Sequence, residues 1–105
     1  MVAIDANNEL RLLLEEIKKR PSMYIGSKSL SNLRIYIDGF LYGICTTSGK
    51  ENLTSFLFGF QEWIANKFDV KTMQHWSSII RFFSVDDIEA FDKFYELLNE
   101  YSQWQ

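Results

Sequence analysis

The chain has 105 residues, 47% of them apolar and 16% aromatic, with one proline and five glycines. That composition can bury a core in one domain without disulfides or metal, and it lies far from the signature of a disordered chain. A net charge of −3, a pI near 5.1 and scattered basic residues argue against direct nucleic-acid binding. Cys45 is the only cysteine, so no internal disulfide can form. The start MVAIDANNEL has neither the basic region nor the apolar run of a secretory signal, and no stretch approaches the ~18 apolar residues of a membrane span. A soluble, cytoplasmic protein with no membrane contact is expected.

Hydrophobic periodicity predicts an all-α, single compact domain of about five helices over residues 1–105. Leu10, Leu13, Leu14 and Ile17 fall at helical spacing after Asn7 or Asn8, either of which can serve as N-cap, and this first helix ends where Arg20 meets Pro21. A second helix opens at Ser29 or Ser31, runs through Leu33, Ile37, Leu41 and Ile44, and exits with Gly49 past its end. Leu53, Phe56, Leu57, Phe60 and Ile64 repeat the pattern for a third, stopping near Lys67. HWSSIIRFF suits a short helix, although Ile79 to Phe83 also reads as a strand. Ser84, with Asp87 three residues on, is a capping-box signature for a last helix with Ile88, Phe91, Tyr95 and Leu98 on its buried face. Gly39 and Gly43, one turn apart, each cost about 1 kcal/mol of helix propensity. Close approach by another helix or aromatic ring would offset that loss.

The corner between the first two helices carries Pro21, Met23, Tyr24, Ile25 and Gly26. Pro21 terminates a helix, Gly26 permits a turn, and Met23, Tyr24 and Ile25 can insert between the helices as a clasp. No catalytic, cofactor-binding or metal-ligating set is evident. His75 is the sole histidine, Cys45 reads as a buried structural residue, and no carboxylate pair has the apolar, hydrogen-bonding setting of a tuned acid and base. No enzymatic activity and no cofactor are therefore expected.

Charge is unevenly distributed. Residues 84–105 hold six carboxylates against Lys93, a net of −5, whereas residues 1–50 carry seven basic and five acidic side chains, a net of +2. Asp92, Glu96 and Glu100 recur one turn apart, with Asp86 and Glu89 nearer the rim. Such a run is often a solvated helix face, and acids also suit a helix N-terminus. A sustained acidic stripe is equally what captures a basic partner, because complementary fields speed encounter and suppress wrong partners. These five residues are the candidate partner-binding set.

Two family resemblances bear on function. RPSMYIGS, residues 20–27, resembles the RPxMYIG segment of type II topoisomerase ATPase domains, which implies a GHKL-type α/β sandwich binding ATP. In that family the following helix bears a glutamate base and an asparagine magnesium ligand. Here that helix reads NLRIYIDGFLYGI, with Asp38 its sole carboxylate, and no glycine-rich phosphate loop follows. The second resemblance spans roughly residues 9–101. KKRPSMYIGSKSLSNLRIYIDGFLYG, FGFQEWIANKF, WSSIIRFFS and EAFDKFYELLNEY, in that order, resemble small helical immunity proteins of bacterial contact-dependent growth inhibition and related polymorphic toxin systems. That likeness implies stoichiometric binding and neutralisation of a cognate toxin domain, with no catalysis. A basic, RNase-type nuclease toxin matches the acidic stripe, because nucleases bind polyanions. A generic helical interaction module is the alternative, and a remnant GHKL-type ATP-binding protein a less favoured one.

Overall fold

The apolar spacing of residues 10–17 builds α1 (Ala6–Lys19) in the computed structural model, which describes residues 6–48 and 55–104. The order continues with α2 (Pro21–Ile25), α3 (Leu30–Ser48), α4 (Ser55–Lys67), α5 (Trp76–Phe82) and α6 (Asp87–Trp104). The described residues contain no strand, so the all-α expectation holds and no α/β sandwich of the GHKL type is built. HWSSIIRFF resolves to helix. The sixth helix is the corner itself, too short for periodicity to reveal. The expected positions of Gly49 and Leu53 lie outside the described residues, as does the side chain of Cys45.

One apolar cluster joins all six helices. Phe60 of α4, fully buried, sits at its aromatic centre with Phe94 at 5.7 Å, Tyr101 at 5.6 Å, Trp76 at 5.9 Å and Trp63 at 6.2 Å between ring centroids. Those separations fall in the range where edge-to-face and offset pairs add stability beyond area burial. α6 packs along α3 and also meets α4 and α5, while α5 bridges α4, α3 and α6. The buried face of α6 is built from Ala90, Phe91, Phe94, Tyr95, Leu97 and Tyr101. Ile88, expected on it, is 56% exposed, and Leu98 is only partly buried. The Tyr95 hydroxyl donates to the Leu14 carbonyl at 2.7 Å, tying α6 to α1.

Three helix starts are capped from another helix, and this is where side-chain chemistry adds to the pattern of apolar positions. Asn7 is not the N-cap of α1; it lies inside that helix, and its Oδ1 accepts from the Phe56 N–H in the first turn of α4, at 3.3 Å. Gln61 of α4 accepts the Trp76 N–H at the start of α5, at 2.7 Å, and donates to the Gln74 carbonyl, also at 2.7 Å. Asp87 of α6 accepts from the Ser29 hydroxyl and from the Ser31 N–H and hydroxyl, the latter two at 3.2 Å, at the start of α3. Each satisfies N–H groups that a helix leaves without internal partners.

The remaining boundaries are local. Gly26 has φ +85°, the left-handed region, and its N–H bonds the Ser22 carbonyl at 3.2 Å, closing α2. An added Cβ there meets nothing within 4 Å, so the requirement is backbone conformation and not space. Asp69, with φ +53°, ends α4 in a Schellman arrangement: its N–H reaches Asn66 O at 3.2 Å and the Val70 N–H reaches Ala65 O at 2.8 Å. Ser84 does not cap α6. Its hydroxyl turns back to the Ile80 carbonyl at 2.7 Å, and Asp86 instead accepts the Glu89 N–H at 2.8 Å while Glu89 reaches back to the Val85 N–H at 3.4 Å. The N-cap of α6 is thus Asp86, two residues later than expected, because the hydroxyl of Ser84 bonds the end of α5.

The corner is a clasp with two anchors, not three. Ile25 is buried, and Tyr24 is half-buried with its ring edge-on to Tyr36 at 6.3 Å. Met23 is 70% exposed and anchors nothing, since in a one-turn helix only part of the circumference can face the crevice. Pro21 occupies the first turn of α2, where its missing N–H costs no bond. Asn32 Nδ2 donates to the Ile25 carbonyl at 3.0 Å and fixes the corner to α3. Gly39 and Gly43 are exposed, and a Cβ added at either meets nothing within 4 Å, so no close helix or ring contact explains them.

Candidate functional site

The five acidic residues singled out by sequence all lie at the exposed surface of α6 or just before it. Ile88, Asp92, Glu96 and Glu100 follow one another at four-residue spacing, so they form one ridge along the helix. Exposed Val85 and Ile88 mark the start of this surface, and exposed Asp92, Glu96 and Glu100 continue along it. The surface thus combines an apolar end with a charged flank.

The carboxylates are not equivalent. Asp92 pairs with Lys28 at 2.7 Å and Glu100 with Lys67 at 2.7 Å, while Glu89 meets Lys93 at 3.6 Å. Glu96 makes no ion pair among the described residues, and Asp86 is occupied as the cap of α6. Such solvent-exposed pairs contribute about 0–1 kcal/mol. Lys28 and Lys67 can therefore exchange for a partner's cations at little cost.

A second surface has no counterpart among the sequence expectations. Between α3, α5 and the connector after α4 runs a groove of about 830 Å³ whose apolar walls include Leu30, Ile35, Val70, Ile79, Phe82 and Phe83. Ile35 is 69% exposed and Phe82 81%. Phe83 stacks on Phe68 at 4.8 Å and stands edge-on to Phe82 at 5.1 Å, which holds the aromatic rim in place. Arg34 and Arg81 line the groove, and no carboxylate does. The Arg34 Nε lies 3.5 Å from Asp38 but without hydrogen-bond geometry, leaving that buried donor unsatisfied. A signal for this surface exists in the triplet Ile35–Tyr36–Ile37 and the doublet Phe82–Phe83. Adjacent apolar residues cannot all face one side of a helix, and Ile37 takes the buried position.

His75, Ser77 and Asp38 invite comparison with a nucleophilic site. The Ser77 hydroxyl lies 2.7 Å from His75 Nδ1, but the same nitrogen accepts the Ser77 N–H at 3.1 Å, so the imidazole acts as N-cap of α5. Ser77 itself is buried. Burial, then the Arg34 cation, hold the His75 pKa below its ordinary value, with Asp38 opposing them, and the neutral ring is the form that can cap. No group of three or more His, Cys, Asp or Glu side chains is placed to hold a metal among the described residues, and no helix among them is long and apolar enough to cross a membrane. Comparison with protein-family models finds no match, and neither do comparisons with curated proteins and with solved structures.

Proposed function

We propose that this chain is an immunity protein: a non-catalytic, stoichiometric inhibitor that binds a basic toxin domain, of RNase type, through the exposed flank of α6. The observation that carries the reading is the exposed Ile88–Asp92–Glu96–Glu100 ridge, with Val85 beside its apolar end. The resemblance of residues 9–101 to immunity proteins of polymorphic toxin systems, which includes the α6 segment itself, supports the same reading. In this reading Ile88 and Val85 enter a desolvated patch on the toxin. Glu96, Asp92 and Glu100 then meet the cations that would otherwise bind nucleic-acid phosphate, which blocks the substrate groove. Asp86 and Glu89 border the contact and contribute mainly to steering.

The experiment is protection in cells. The C-terminal domain of the protein encoded by the gene immediately upstream, expressed alone, should arrest growth, and co-expression of this chain should restore it, with a one-to-one complex recovered by size-exclusion chromatography. Growth arrest unrelieved by the co-expressed chain, with no complex formed, would reject the immunity reading and leave the helical interaction module in its place.

A further inference from the structure

The groove between α3 and α5 differs in charge from the flank of α6 and is a separate surface. Its lining contains two guanidinium groups and no anion, set in apolar walls. Arg81 Nη1 donates to the Ser84 carbonyl at 3.2 Å and its Nε is 4.0 Å from Asp87, a long contact that leaves donors of the fork unused. Arg34 has only the poorly aligned Asp38 carboxylate near its Nε. The Ser78 hydroxyl, exposed on the same wall, has no hydrogen-bond partner among the described residues. Planar guanidinium forks recognise carboxylates in pairs of bonds, and apolar walls nearby exclude the water that would weaken those bonds.

We propose that this groove is a second binding site, which takes an acidic, apolar segment of a partner protein: carboxylates against Arg34 and Arg81, and aliphatic or aromatic side chains against Ile35, Phe82 and Phe83. Charge complementarity selects this occupant. A basic segment would bring like charges against both arginines, and a wholly apolar one would desolvate them with only the long Asp38 and Asp87 contacts and the Ser84 carbonyl to offset the cost. The volume lies within the ~300–1,000 Å³ of ordinary ligand sites, and the exposed rim of Ile35 and Phe82 gives a polypeptide more to cover than the pocket alone. This inference does not depend on the toxin reading, because it concerns other residues and the opposite charge.

The test is a heteronuclear NMR titration of the full chain with a capped peptide LDFEL, its amide counterpart LNFQL, its basic counterpart LKFKL, and octanoate. LDFEL should saturate with a Kd below about 1 mM and shift the amides of residues 31–35 and 77–84 while leaving those of 92–100 unmoved. LNFQL should bind roughly tenfold more weakly, for loss of the charge-assisted bonds, and LKFKL not at all. Arg34→Gln should reproduce the tenfold loss. Ser78→Trp, at an exposed position with no native bond to lose, should block the groove with the spectrum of the fold otherwise retained. Equal binding of the three peptides, absence of any binding by LDFEL, or saturation by octanoate with none by LDFEL would each overturn the proposal.

Discussion

Replacing Asp87 by alanine should cost far more than an ordinary surface truncation, which is usually within about 0.5 kcal/mol. Its carboxylate is the point at which α6 holds the start of α3, taking the Ser29 hydroxyl and both the N–H and hydroxyl of Ser31 across more than fifty residues of sequence. A hydrogen bond to a charged group nets about 1.5–3 kcal/mol, and loss of a helix cap about 1 kcal/mol. These figures do not add, because the donors share two oxygens, the side chain is part-exposed, and Ser29 still accepts the Asn32 N–H at 3.1 Å. About 2 kcal/mol is the reasoned loss. For a domain of this size it lowers Tm by about 8–16 °C, at ~4–8 °C per kcal/mol. Asp87→Asn, which keeps an acceptor but not the charge, should lose about half as much. Urea unfolding of Asp87→Ala, Ser31→Ala and the double variant measures the coupling directly. Additive losses, or a Tm shift of Asp87→Ala within about 2 °C, would refute the claim that α6 caps α3.

Phe60→Ala should cost about 3–5 kcal/mol, read by urea unfolding, since it empties the centre of the aromatic cluster. Asp69→Gly should stabilise the protein by about 0.5–1 kcal/mol in the same assay, by relieving a left-handed non-glycine residue at the end of α4. His75 sets a pH dependence: its folded pKa lies below the ordinary 6.5, so the unfolded chain binds the proton first. Stability should therefore fall as pH drops below about 6.5 and level off once pH passes beneath the folded pKa; His75→Asn, which keeps a capping side chain, should flatten that part of a Tm-against-pH curve.

Most of the fold is legible in the apolar spacing. Residues 10–17, 56–64 and 91–101 mark their helices because a core-facing stripe must repeat at helical period. What escapes is set by contacts between distant segments. Asn7 and Asp87 look like local caps in the sequence, and both instead serve a different helix. Ser84 has the right neighbours for a capping box, yet its hydroxyl is closer to the preceding turn. A fully buried tyrosine anchor at position 24 would be worth roughly 3 kcal/mol; half-buried against Tyr36, Tyr24 should contribute less. The acidic flank can be read from spacing alone, because Asp92, Glu96 and Glu100 share one side of any regular helix. Its lysine partners cannot, since Lys28 and Lys67 arrive from other parts of the chain. Nor can the groove, whose walls meet only through the packing of α5 on α3.

The central claim is that the flank of α6 recognises a basic toxin domain, and association kinetics test it most directly. Asp92→Lys combined with Glu96→Lys reverses two charges on the ridge; it also breaks the exposed Lys28 pair, for a stability loss of about 0–1 kcal/mol that unfolding can verify. Surface plasmon resonance against the C-terminal domain of the upstream gene's product should show association slowed by about tenfold or more at low salt, with a weaker dependence on ionic strength than the parent chain. An unchanged association rate for the folded double variant at low salt would contradict the assignment of this flank as the recognition surface.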